Sequence, residues 1–144
     1  MDRPLDEVRA WLRKAERDFV SAQILTEHEP PVLETAAFHC QQAVEKTLKA
    51  YLVWKSIPFE KVHSLTYLLD LCEASEPGFA TIRERAEALA PYAVEVRYPG
   101  ELAEITVEEA REALDAAREV WAFVLGLLPP EVVDTFKRFN VPTF

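Results

Sequence analysis

Apolar residues recur at intervals of three and four through most of the chain, the spacing that gives a helix one buried face. Leu5, Val8, Leu12, Ala15, Phe19 and Ala22 follow it, with Trp11 and Leu25 widening the stripe, and predict a first helix over residues 5–26. Pro4 and the acidic Asp6 and Glu7 mark its start, and Glu29-Pro30-Pro31 ends it, because a proline drives its predecessor out of the α region. A second helix is predicted over 33–55. It places Ala36, Cys40, Ala43, Val44, Thr47, Leu48 and Tyr51 on one side and His39, Gln42, Lys46 and Lys49 on the other.

Ile57-Pro58-Phe59 breaks the chain before a short helix over 65–74, entered through His63 and Ser64. After the Pro77-Gly78 turn, Ile82, Ala86, Leu89 and Ala90 predict a fourth helix over 80–90, which Pro91 ends or kinks ahead of an irregular stretch, 92–104. Thr106 and Glu109 have the spacing of a capping box. From there Val107, Ala110, Leu114, Ala117, Trp121, Val124 and Leu128 form one apolar face as far as Pro129-Pro130. Strand signals are nearly absent and no repeat or flexible linker occurs. The pattern therefore predicts an all-α fold: an antiparallel up-and-down helical bundle of five to six helices over residues 1–128. Residues 129–144, with Val132, Val133, Phe136 and Phe139, are expected to form a short helix and tail packing on the bundle or on a second subunit.

Composition supports this reading. Of 144 residues 49% are apolar and only 3 are glycine, enough for one core and too few glycines for a phosphate-cradling loop. No apolar run reaches the roughly 20 residues of a membrane span, and the charged N-terminus is unlike a secretory leader, so a cytoplasmic protein without membrane contact is expected. Cys40 and Cys72 lie far apart without a CxxC spacing and read as reduced core residues. Neither a metal nor a cofactor is expected, since His28, His39 and His63 lack ligand spacing. Trp11, Trp54, Trp121, Phe136 and Phe139 are more aromatic surface than a monomer of this size readily covers, which points to a homodimer.

The net charge of −9 disfavours a surface that grips nucleic acid everywhere, but residues 36–61 depart from it. They hold four lysines, 46, 49, 55 and 61, against Glu45 and Glu60, a local excess of +2. The polar stripe His39, Gln42, Lys46 and Lys49 contains no acid and suits an anion such as a phosphate, nucleotide or RNA backbone; the bland alternative is a solvated face. Arg97 opens a second candidate segment, Arg97-Tyr98-Pro99-Gly100-Glu101, where proline and glycine fix an irregular backbone that can aim a side chain. Its bland alternative is pairing with Glu95 or Glu101.

The run Ala37-Phe38-His39-Cys40-Gln41-Gln42-Ala43-Val44-Glu45-Lys46-Thr47-Leu48-Lys49-Ala50, then Val62-His63-Ser64-Leu65 and Val96-Arg97-Tyr98-Pro99, resembles prokaryotic HEPN domains over residues 8–127. It is similar to the branch often encoded beside a minimal nucleotidyltransferase. The resemblance implies a helical bundle that dimerises and acts either as a metal-independent endoribonuclease, frequently a toxin, or as the nucleotide-binding partner of a nucleotidyltransferase. Ribonuclease members carry an Arg followed four to six residues later by His. Here Leu102, Ala103 and Glu104 stand at the positions counted from Arg97, and no histidine follows His63. Metal-free RNA cleavage needs groups that move protons near neutrality, which arginine does poorly.

The leading expectation is therefore a non-catalytic member of a toxin-antitoxin-like pair. It binds a nucleotidyltransferase, a nucleotide or RNA through His39, Gln42, Lys46, Lys49 and Arg97, with Tyr98 stacking on a base. The enzymatic alternative is a ribonuclease using Arg97 with His39 or His63. A purely structural helical module is the third reading.

Overall fold

The computed structural model describes residues 3–93 and 104–136, and its order is α1 (Arg3–Glu27), α2 (Leu33–Trp54), α3 (Leu65–Ser75), α4 (Ala80–Glu87), α5 (Val107–Leu127) and α6 (Pro130–Val133). Three-residue and four-residue 3-10 turns, Pro77–Phe79 and Ala90–Ala93, flank α4. No strand occurs among the described residues.

α1 and α2 form an antiparallel hairpin: Asp18 meets His39 and Lys46, and Trp11 meets Lys49. α5 is antiparallel to α1 as well. Phe19 packs edge-on against Trp121 at 5.2 Å between ring centres, while Arg9 near the start of α1 donates to the Glu131 carbonyl just past α5. α2 and α5 therefore run in the same sense, because the smaller α3–α4 insertion carries the chain back between them. Alanines let these helices approach closely: Ala15 and Ala22 on α1, Ala36, Ala43 and Ala50 on α2, and Ala113, Ala116 and Ala117 on α5 are all buried.

Local signals account for the boundaries. Ser64 caps α3 by accepting from the Tyr67 amide, and Thr106 and Glu109 form the full reciprocal capping box on α5. α4 is shorter than its apolar spacing predicts, ending at Glu87 rather than residue 90. Pro91 is the reason: its ring would clash with the carbonyl four residues back, which is Glu87. The chain tightens instead, with Leu89 N–H bonding the Ala86 carbonyl and Tyr92 N–H the Leu89 carbonyl. Pro130 opens α6, where a missing amide costs nothing, and α6 folds back so that Val132, Val133 and Phe136 are buried on the bundle. Phe136 stacks edge-on to Trp121. Phe139 lies outside the described residues.

α2 is the central helix. It packs against α1, α3, α5 and the Ala90–Ala93 turn, so it is buried on nearly every side, including Gln41, Glu45, Thr47 and Lys49. Its C-terminus is a Schellman motif: the Ser56 amide bonds the Val53 carbonyl at 3.0 Å and the Ile57 amide bonds the Leu52 carbonyl at 2.9 Å. Ser56 occupies the left-handed position, φ 57°, that usually falls to glycine. Ser56→Gly should therefore stabilise the protein by about 0.5–1 kcal/mol, read as a higher urea midpoint.

Both cysteines are free and buried in the core. Burial pushes their thiols from an ordinary 9.0 up to about 12. Because the folded state disfavours the thiolate, this stability is fully present below pH 9 and is lost as pH rises toward 12. Urea melts across that range should show the decline, and the Cys40→Ala/Cys72→Ala double variant should show a shallower one.

Candidate functional site

The polar residues of α2 form a belt that leans on its neighbours rather than facing water. Asp18 of α1 is the anchor of the first cluster: His39 Nδ1 lies 2.8 Å from Asp18 Oδ1, and Lys46 Nζ donates to Asp18 Oδ2 at 2.6 Å. His39 and Lys46 stand two helical turns apart on the same face, so one carboxylate reaches both. The Asp18 side chain is 10% exposed, those of His39 and Lys46 about a quarter. An ionised carboxylate can only accept, so the proton in the His39 contact belongs to Nδ1. The geometry thereby leaves Nε2 without a hydrogen-bond partner among the described residues and available to a ligand.

The second cluster sits deeper. Lys49 Nζ donates to Glu45 Oε2 at 2.9 Å, and the side chains are 7% and 2% exposed. His63 Nδ1 lies 3.1 Å from both Glu45 oxygens, and the Gln41 amide is 3.5 Å from Glu45 Oε1 and from the His63 carbonyl. The Lys49 ammonium also rests 5.3 Å from the Trp11 ring centre. Gln42 joins this second cluster by donating to Gln41 Oε1 at 2.7 Å. Every buried side-chain nitrogen and oxygen among the described residues is bonded.

These contacts correct the expectation of a stripe without acid. The stripe is acid-free only along its own face of α2; Asp18 reaches it from α1, and Glu45 pairs with Lys49 from the adjacent face of the same helix. Lys46 and Lys49 are neutralised, and Lys49 is inside. His39 and His63 attach to different carboxylates and do not form one site. Arg97 and Tyr98 lie outside the described residues. Asp18, Gln41 and Glu45 were not singled out by spacing. Asp18 had a signal: it directly precedes Phe19 and lies beside the Leu12, Ala15, Phe19 and Ala22 stripe, an acid at the edge of an apolar face.

The HEPN domain family model matches residues 8–127. The chain belongs to the HEPN domain family. Among relatives, this HEPN domain is 29% identical over 136 aligned residues to the protein named "Putative toxin MJ1304" of Methanocaldococcus jannaschii, covering 83% of this chain and 87% of that one. Its fold is similar to the crystal structure of ST0689, an archaeal HEPN homologue, with a TM-score of 0.66 and 28% identity over 83% of this chain and 96% of that one. No described helix of the HEPN domain is long and apolar enough to cross a membrane, and no group of three metal-ligating side chains occurs among the described residues.

The anchoring role of Asp18 is measurable. Asp18→Ala strands two half-buried donors and should cost about 2–4 kcal/mol in urea unfolding, with Asp18→Asn costing less because it keeps an acceptor.

Proposed function

We propose that this HEPN domain is the toxin-like member of a two-protein pair and binds the phosphate of a nucleotide or RNA at the α1/α2 face. The observation that carries the reading is the Asp18-His39-Lys46 cluster, which holds an imidazole and an ammonium in fixed orientation at a partly open surface. Asp18 uses one donor of each, so His39 Nε2 and two Lys46 N–H groups are left for an incoming oxygen. Lys49 and Gln42 belong to the neighbouring buried cluster, bonded to Glu45 and Gln41. Arg97 and Tyr98 are proposed to complete the site from the segment between Ala93 and Glu104. A relative named as a toxin and the HEPN assignment agree with the reading. A homodimer and a nucleotidyltransferase partner are part of the proposal.

The orientation of His39 favours one second reading, metal-independent RNA cleavage. In its neutral form Nε2 is an acceptor, placed to take the proton of a ribose 2′-hydroxyl as that oxygen attacks the adjacent phosphorus and the 5′-oxygen leaves. Arg97 would stabilise the negative charge on the phosphate, and the leaving oxygen needs a separate proton donor.

Equilibrium titration with ATP and with a short RNA, followed by calorimetry, tests binding; His39→Ala/Lys46→Ala should weaken it roughly tenfold or more while the fold is retained. No binding by the wild type, or equal binding by the variant, rejects the site. Incubation of the purified protein with RNA in EDTA separates the readings: cleavage that disappears in both Arg97→Ala and His39→Ala supports catalysis, and intact RNA rejects it. Copurification with a coexpressed neighbouring-gene nucleotidyltransferase tests the partnership.

A further inference from the structure

Four exposed side chains of α1 lie on one line. Arg17, Val20, Ile24 and Glu27 follow one another at intervals of three, four and three, which keeps them within an arc of about 80° on the helix surface. The arc points away from the buried Ala15 and Ala22, and it is separate from Asp18, whose carboxylate faces α2. Val20 and Ile24 are 37% and 60% exposed, and Ile24 is the most open of the large apolar side chains described. Arg17 and Glu27 are exposed too, and neither has an opposite charge within 4.0 Å among the described residues.

The order of the four makes the face complementary to itself. Both pairs, Val20 with Ile24 and Arg17 with Glu27, are centred on Ala22. A two-fold axis at the height of Ala22 therefore sets Val20 against the Ile24 of a second copy, and Arg17 against its Glu27, with each contact made twice. A parallel pairing in register would place arginine on arginine and glutamate on glutamate instead. The helix ends favour the same direction. α1 has no basic residue in its last turn, where unpaired carbonyls already hold negative charge and Glu27 adds to it. Arg13 and Lys14, exposed one turn before Arg17, give the other half of the face the opposite sign.

We infer that the outer face of α1 binds the same face of a second copy of this chain, antiparallel and two-fold symmetric about Ala22. Contact between Val20 and Ile24 supplies the attraction, and the exposed ion pairs, weak in themselves, select partner and direction. A partner carrying charge of one sign would satisfy half of this face and be repelled by the other half, whereas a second copy satisfies both. The seam gives a surface to the homodimer that is part of the function proposed above, and it uses no residue of the Asp18-His39-Lys46 cluster.

Sedimentation equilibrium of the full chain over a range of concentrations tests the inference. The expected result is a monomer–dimer equilibrium that weakens as salt is added. Arg17→Glu sets carboxylate against carboxylate at both ends of the seam and should raise the dissociation constant roughly tenfold or more. Arg17→Glu/Glu27→Arg exchanges the two charges and should return it to within about threefold of the wild type. A dimer whose dissociation constant is unchanged by Arg17→Glu, or a double variant that associates no more tightly than the single one, overturns the seam and leaves the homodimer reading standing. A chain that stays monomeric overturns both.

Discussion

Asp18 bridges His39 and Lys46 because α2 has too little outside. A helix enclosed by α1, α3, α5 and the Ala90–Ala93 turn must bury most of its circumference, yet it carries Gln41, Gln42, Glu45, Lys46 and Lys49 among its middle turns. Burying an isolated charge costs several kcal/mol, so each cation on this helix requires a carboxylate at hydrogen-bonding distance. Glu45 serves Lys49 within the helix, and α1 has to serve Lys46. Sliding α1 by one residue would turn Asp18 off the interface and leave an ammonium and an imidazole without an acceptor. The polar belt therefore selects the register of the hairpin, while the alanine contacts set how closely its helices pack.

That constraint also explains which parts of the protein were readable from the order of residues alone. The helices were legible because their apolar positions repeat with the helical period and their ends carry local chemistry, such as Pro30-Pro31, Ser64 and the Thr106-Glu109 capping box. The end of α4 was legible only in part: Pro91 announced a break, but its clash acts four residues upstream. The shared direction of α2 and α5 was hidden, since it depends on how the α3–α4 insertion returns the chain. The candidate site was half visible. His39, Gln42 and Lys46 stood out by their spacing on one helix, whereas Asp18 is 21 and 28 residues away from its partners. Charge counted along a segment does not foretell charge paired across helices.

On folding, the lysines of residues 36–61 left without a paired acid among the described residues are Lys55 and Lys61, past the end of α2. With Lys46 and Lys49 matched, the middle of the helix is a belt of paired charges, and it separates two surfaces of different character. Near His39 the available groups are polar and held by hydrogen bonds. Near Phe59 the surface is a mostly apolar groove, lined also by Glu7 and Lys61 and held by a helix-ending backbone motif. Different forces hold the two surfaces in place, so a substitution at one need not disturb the other.

The first surface poses a question of proton count. A phosphate oxygen is an acceptor, and it can bond His39 Nε2 only when that nitrogen carries a proton. With Asp18 already holding the proton on Nδ1, such a ring is the imidazolium, bonded on both sides. A hydroxyl about to lose its proton requires the opposite state, a neutral ring whose Nε2 lone pair faces outward. Asp18 accepts the Nδ1 proton in both forms, and its position fixes the tautomer of the neutral ring. Phosphate binding and base catalysis at this site are thus two protonation states of one side chain. What distinguishes them chemically is a second proton-transfer group near Nε2. Glu45 claims the nearer nitrogen of His63, and His63 meets no part of the Asp18 cluster. Binding is accordingly the reading that needs no second proton-transfer group beside His39.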